Sequence, residues 1–215
     1  MPRYDFGKNA HTYDLYYQSD FGREVDRLEK QCVESLISKI PKGKALEIGC
    51  GTGHWTEYFA TKGFDITATD ISEEMLNVAK SKNIPGVHFI KANAENLPFE
   101  NNSFDSVFAI TVLEFVDDQE KAFDEIYRVL RPGGYFLAGV LNLNSEIGQN
   151  KSNDETFANA IFFTPEDLEN KLKKFGEPVI EGCVVIENGD IIDNKTDKKT
   201  AKEKGAFLCA LVRKE

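Results

Sequence analysis

Apolar residues recur at Val25, Leu28, Cys32, Leu36 and Ile40, one stripe of a helix that starts after Ser19-Asp20 and is ended by Pro41-Lys42-Gly43. Beyond it the pattern changes to short apolar runs separated by helical stripes. Ala45 to Ile48 reads as a first strand, and a helix carrying Trp55, Tyr58 and Phe59 follows Gly53 and stops at Gly63. Phe64 to Thr69 alternates as a second strand, and Ser72 caps a helix with Glu73 and Glu74 in its first turn, where negative charge suits the dipole. Val87 to Ile90 is a third strand. Ser106 to Thr111 is a fourth, nearly continuous in apolar residues as a buried parallel strand should be. Ala122, Phe123, Ile126, Val129 and Leu130 line the next helix, which Pro132-Gly133-Gly134 is expected to terminate before a fifth strand, Tyr135 to Leu141.

Residues Asn142 to Thr156 are polar and aperiodic and read as a loop leaving the carboxyl edge of that strand, where open α/β sheets bind ligands. Thr164-Pro165-Glu166-Asp167 starts another helix, with a cap, proline in the first turn and acids behind it; Gly176 ends it. Val179 to Glu187 and Ala206 to Val212 then predict an antiparallel pair of strands, with a break at Asn188-Gly189. Strands alternating with helices at this spacing predict an α/β fold, a parallel sheet covered on both faces.

The 215 residues fit one domain spanning 1–215, with 1–40 as an N-terminal helical and aromatic cap segment. No apolar run approaches the ~18–20 residues that span a bilayer, and the first residues lack the apolar stretch of a secretory signal, so a cytoplasmic protein with no membrane partner is expected. The chain carries 26 Lys and Arg against 36 Asp and Glu, a net charge of −10, which argues against a nucleic-acid partner. Lysines do gather between Lys195 and Lys204, but acids interleave them and the stretch reads as a solvated loop. The cysteines Cys32, Cys50, Cys183 and Cys209 lack metal or disulfide spacing; no metal site is expected.

The chemistry concentrates in Ala45-Leu46-Glu47-Ile48-Gly49-Cys50-Gly51-Thr52-Gly53-His54-Trp55. Glycines at three alternate positions let the chain turn tightly and bring bare backbone close to a ligand. Asp70, seventeen residues after Gly53, ends the second strand, where a carboxylate accepts hydrogen bonds from a ribose diol. A nucleoside-bearing cofactor follows. The dinucleotide fingerprint is G-x-G-x-x-G, whereas this chain has E-x-G-x-G-x-G, with Glu47 placed to repel a pyrophosphate. A sulfonium cofactor without phosphate meets no such repulsion, which favours S-adenosylmethionine over NAD.

With LEIGCGTG, ATDIS, KANAENLPFENNSFDSVFAITVLEFV and EIYRVLRPGGYF in order between about Lys44 and Val140, the chain resembles the class I S-adenosylmethionine-dependent methyltransferases, in the small-molecule branch similar to the quinone-biosynthesis C-methyltransferases. The resemblance implies a Rossmann-like three-layer sandwich: a seven-stranded, mostly parallel sheet ordered 3-2-1-4-5-7-6, with one antiparallel strand. It implies that Gly49, Cys50, Gly51 and Gly53 cradle the methionine portion and that Glu47 organises the loop and reaches the cofactor amino group. Asp70 would hold the ribose, Ile71 and Met75 would cover the adenine faces, and Asn93, Ala94 and Glu95 would meet the adenine edge. Asn93 stands where relatives usually carry Asp, and its amide oxygen still supplies an acceptor. Thr111 would lie near the methionine amine. Glu114-Phe115 departs from a common pattern in which His follows Glu, so no histidine base is expected there.

Methyl transfer from a sulfonium needs alignment above all, worth up to ~7–11 kcal/mol in well-oriented systems, so no catalytic base is assigned. His11 and His54 read as positioning residues. The N-terminal aromatics Tyr4, Phe6, Tyr13, Tyr16, Tyr17 and Phe21, with Arg23 behind them, are expected to fold over the cofactor and help form the acceptor pocket, facing the Asn142–Thr156 stretch. The expected partner is a small-molecule methyl acceptor, the expected state a monomer or homodimer. A non-catalytic sensor that keeps the cofactor site and an NAD-linked oxidoreductase are the rival readings.

Overall fold

In the computed structural model, which describes residues 4–192 and 196–215, two 3-10 turns, Phe6–Asn9 and Tyr13–Gln18, lead into helix α1 (Asp20–Ile37). Ser19 caps α1, its hydroxyl accepting from the Gly22 amide at 2.9 Å. The predicted stripe Val25, Leu28, Cys32 and Leu36 is buried along it, and Ile40 is buried just beyond its end.

The succession is then β1 (Lys44–Ile48), α2 (His54–Thr61), β2 (Asp65–Asp70), α3 (Glu73–Ser81), β3 (His88–Lys91), β4 (Phe104–Ile110), α4 (Gln119–Val129) and β5 (Leu130–Leu141). Next come a short α5 (Glu146–Gln149), α6 (Pro165–Leu172), β6 (Val179–Cys183), a small hairpin of β7 (Ile186–Glu187) and β8 (Asp190–Ile191), α7 (Lys198–Lys204) and β9 (Phe207–Arg213). The main sheet has seven strands in the order β3-β2-β1-β4-β5-β9-β6. Strands β1 to β5 pair in parallel, and β9 runs antiparallel to both β5 and β6. With the hairpin set aside, β9 is the seventh strand, and this is the expected 3-2-1-4-5-7-6 order.

Alternation along the central strands divides the core in two. Ala45, Phe108 and Ile110 face one layer with Leu28, Leu36 and Phe59; Leu46, Val107 and Ala109 face the other with Phe123, Ile126 and Leu168. That is the helix–sheet–helix sandwich. Among the described residues no helix is long and apolar enough to cross a membrane.

Four expectations are corrected. Leu130 belongs to β5 rather than to α4, pairing with Phe104, and the strand passes through Pro132-Gly133-Gly134 across a register shift. There the Gly133 amide donates to the Lys214 carbonyl at 2.7 Å and the Lys214 amide to the Gly134 carbonyl at 2.8 Å, so only proline lacks a donor and pairing survives. The run Val179 to Glu187 breaks at Val184, which takes a φ of 62°, and Asn188 and Gly189, at 55° and 85°, form the hairpin turn. Within the lysine-rich stretch, Lys195 lies outside the described residues; Lys198–Lys204 is not a loop but α7, capped by Asp197, which accepts from the Lys199 and Thr200 amides. The Asn142–Thr156 stretch contains α5 and a 3-10 turn, Lys151–Asn153.

Candidate active site

The carboxyl ends of β1, β2 and β4 open into a cavity of about 610 Å³. Its floor begins with Gly49, where φ is 69° and an added Cβ would lie 2.2 Å from Val112 Cγ2, so only hydrogen fits. Gly51, φ 53°, would meet nothing within 4 Å and is bare toward the cavity. Gly53 caps α2 from outside the lining, and Cys50 lines it with its amide bonded to the Thr69 carbonyl at 2.9 Å. Burial pushes the Cys50 thiol well up, so it is no thiolate.

Asp70 closes β2 beside this loop. One carboxylate oxygen, Oδ2, accepts from the Gly51 amide and the other, Oδ1, from the Ser72 amide, both at 2.8 Å. Burial raises its pKa against the pull of these amides. The residue lines the cavity. Ile71, half exposed, and Met75, buried, line the same side.

Asn93 and Ala94 line the next stretch. The Asn93 amide oxygen accepts from the Glu95 amide at 2.9 Å, and Glu95 Oε1 accepts from the Asp117 and Asp118 amides at 2.8 and 3.0 Å. Glu95 thereby ties the loop after β3 to the loop after β4. Glu47 does not reach the lining. It is buried beneath the glycine loop, its Oε2 without a hydrogen-bond partner among the described residues. Burial pushes its carboxyl up to about 8, with Asp70 adding to the rise and the Thr56 hydroxyl opposing it. Thr111 lines the cavity with a φ of 47°, a strained conformation for a β-branched residue, held by its amide on the Gly139 carbonyl at 2.7 Å.

The N-terminal segment roofs the cavity. Tyr4, Phe6, Tyr13 and Tyr17 line it; Tyr16, Phe21 and Arg23 do not. Phe6 packs edge-on against Phe115 at 4.8 Å and Tyr4 at 4.7 Å, and Tyr17 lies flat on His54, centroids 3.6 Å apart. Asp14 pins the roof to the floor, accepting from Thr52 Oγ1 and pairing with Lys82, each at 2.6 Å. The Asn142–Thr156 stretch does not line the cavity; Leu143 and Ile147 pack behind Phe115 instead.

Three acidic groups escaped the sequence reading. Glu114 is fully buried, with Oε1 accepting from the Leu141 amide and Oε2 unpartnered among the described residues, and burial pushes it up to about 7. Glu29, half-buried on α1, is pushed up to about 8 by burial and by neighbouring acids. Asp26 sits 2.6 Å from His54 Nε2 and 2.8 Å from Lys30 Nζ; burial works to raise it, and the two bases more than offset that. The one signal available was a lone carboxylate between Leu113 and Phe115.

The methyltransferase-domain family profile matches residues 46–138. An uncharacterized protein of Methanocaldococcus jannaschii is 31% identical over 208 residues, covering 94% of this chain and 95% of that protein. The ubiquinone/menaquinone biosynthesis C-methyltransferase of Vibrio cholerae is 38% identical over 141 residues, 61% of this chain and 54% of that enzyme. This chain thus spans about half the length of that relative. A Thermotoga maritima S-adenosylmethionine-dependent methyltransferase, described as a possible histamine N-methyltransferase, superposes with a TM-score of 0.78 at 29% identity, covering 98% of each chain. The chain belongs to the S-adenosylmethionine-dependent methyltransferases.

The residues of this methyltransferase fit its cofactor. A ribose diol needs acceptors, and the Asp70 carboxylate lines the cavity. An adenine needs apolar cover, offered by Ile71 and Met75. Glu47, sealed beneath the glycine loop next to the Thr56 hydroxyl, supports that loop from outside the cavity. When bound, the cofactor would supply an electrophilic methyl group; the methyltransferase supplies position and an aromatic roof.

Proposed function

We propose that this methyltransferase moves the methyl group to a small-molecule acceptor held beneath the N-terminal roof, in the cytoplasm. Asp70 takes the ribose diol, Gly49, Cys50, Gly51 and Gly53 cradle the methionine portion, and Glu47 steadies that loop from below. Ile71 and Met75 cover the adenine faces, Asn93, Ala94 and Glu95 border its edge, and Thr111 presents backbone near the methionine amine. The observation that carries this reading is Asp70, joined to the Gly51 amide while facing the cavity. A net charge of −10 disfavours a nucleic-acid acceptor, and four buried, unbridged cysteines suit a reducing compartment. The named relatives support a small acceptor.

Protein groups align the acceptor and exclude water, the contribution that in-line transfer needs most. Calorimetric titration with S-adenosylhomocysteine tests the site: saturable one-to-one binding, strongly weakened in Asp70→Ala, supports it. Stabilisation by NADH without any by S-adenosylmethionine would overturn it.

A further inference from the structure

His54 carries an arrangement that cofactor binding does not use. Gly53, the left-handed cap, sets it as the first residue of α2, directly behind the loop proposed to cradle the methionine portion. The residue lines the cavity with its side chain 20% exposed, and Tyr17 lies flat on one face of the ring, the two planes 5° apart. Trp55 stands edge-on to it, centroids 6.4 Å apart. One ring nitrogen is occupied. Nε2 lies 2.6 Å from Asp26 Oδ1 on α1, and two lone pairs do not face each other at that distance, so Nε2 carries a proton and donates it. The Lys30 ammonium, 3.1 Å from the same nitrogen, is bonded at 2.8 Å to the other Asp26 oxygen. Asp26 thereby fixes which tautomer the neutral ring adopts.

The second nitrogen, Nδ1, has no hydrogen-bond partner among the described residues. In the neutral ring it offers a lone pair, and with Nε2 turned to α1 it is the nitrogen left to a guest of the cavity. The surroundings narrow that guest. Asp5, Asp70, Glu73, Glu74, Glu95 and Asp117 line the cavity against one lysine, Lys91, itself 3.9 Å from Glu73, so a carboxylate or a preformed oxyanion is disfavoured. At the His54 end stands the Lys30 ammonium, which opposes a second cation. Phe115, Phe6, Tyr13 and Tyr17 supply rings, each edge-on to the next, that suit a flat apolar body. A neutral aromatic hydroxyl meets all three conditions.

Resting on the proposed methyl transfer, we propose that the acceptor is a hydroxylated aromatic ring and that His54 is its catalytic base, oriented by Asp26. The acceptor hydroxyl donates to Nδ1. As the oxygen–carbon bond forms, the methyl carbon–sulfur bond breaks with its electron pair kept on sulfur, and the hydroxyl proton moves to Nδ1. The products are a neutral aryl methyl ether, a neutral thioether and an imidazolium whose Nε2–H stays on Asp26. Positive charge lost from sulfur thus reappears on a ring already held by a carboxylate, and general-base help of this kind is worth about 10²–10⁴-fold. Release of the Nδ1 proton to water resets the ring.

The test uses the full chain saturated with S-adenosylhomocysteine, so that failure of that first titration strikes the proposed function and not the base. Long-range proton–nitrogen spectra of the isotope-labelled protein report both nitrogens of each of the three histidines, with His11→Gln and His88→Gln identifying the other two. With the ring neutral, the unprotonated nitrogen of His54 should be Nδ1, and Asp26→Asn should erode that preference. Phenol, catechol and 2-naphthol are then titrated beside their methyl ethers and beside benzylamine. At least one hydroxyl compound should shift Nδ1 and bind about three- to tenfold more tightly than its ether, the worth of one hydrogen bond. In His54→Phe, which keeps a ring against Tyr17, that ratio should fall toward one while the nucleoside binds within about twofold of the parent. A proton on Nδ1 of the neutral ring, no Nδ1 response to any hydroxyl compound, or a larger response to benzylamine overturns the assignment. So does a His54→Phe variant that binds the nucleoside normally and keeps the full hydroxyl preference.

Discussion

Asp70 Oδ2 accepts from the Gly51 amide at 2.8 Å, so the residue assigned to the cofactor ribose also fixes the glycine loop assigned to the methionine portion. Its Oδ1 starts α3 through the Ser72 amide in the same way. Losing Asp70 therefore has two effects. Asp70→Ala should weaken S-adenosylhomocysteine binding by roughly 10–100-fold, the range expected for losing hydrogen bonds to a charged acceptor, and should also lower stability by about 1–3 kcal/mol. Asp70→Asn, which can still accept from one amide, should recover much of the stability and little of the affinity. Titration calorimetry and urea unfolding of both variants check the split.

Gly49 meets Val112 so closely that its replacement can be diagnosed by a second change. Gly49→Ala combines a left-handed φ with a Cβ 2.2 Å from Val112 Cγ2 and should cost about 2–4 kcal/mol. Adding Val112→Ala removes the two γ-methyl contacts and relieves part of the clash, leaving the Cβ of residue 112 at 2.6 Å and the backbone strain in place. The double variant should melt above Gly49→Ala and below the parent, an ordering that differential scanning calorimetry reads directly.

Asp14 holds the roof through Thr52 and Lys82. Asp14→Ala should loosen residues 4–18 while leaving the sheet intact. Hydrogen exchange of the Tyr13–Gln18 amides should accelerate, with the β4 and β5 amides unchanged. Unaltered exchange in the segment would show that aromatic packing alone keeps it closed.

Stability should fall as pH rises through the neutral range. Glu47 and Glu114 are raised from 4.5 to about 8 and about 7 by burial. Between 4.5 and those values the folded chain holds protons that the unfolded chain has released, so unfolding free energy declines with pH, by at most ~1.4 kcal/mol per pH unit for each group. Above about 8 the decline from these groups is complete. Urea unfolding at a series of pH values from 5 to 9 should show the slope, and Glu47→Gln should flatten part of it.

The sandwich was legible because its signals are local. The stripe on α1, the alternation of the central strands and the caps at Ser72 and Thr164 all depend on neighbours in sequence. The corrections arise where distant residues decide. Pro132-Gly133-Gly134 ends a helix by local rules, yet the Lys214 backbone keeps it in a strand. Lys198 to Lys204 reads as a loop by composition, yet Asp197 caps it as a solvated helix. Asp70 and Gly49, the residues proposed for the cofactor, were visible through a motif. Glu29 and Glu114 were not, since their chemistry comes from burial that only tertiary packing creates.

Thr111 turns out of β4 in a left-handed bend whose amide stays bonded to Gly139 on the neighbouring strand. That anchor sets the height at which the following loop departs, independently of what lies overhead. On the proposed reading, a new acceptor would be accommodated by exchanging roof side chains between Tyr4 and Gln18, while the platform under the reacting methyl keeps its level.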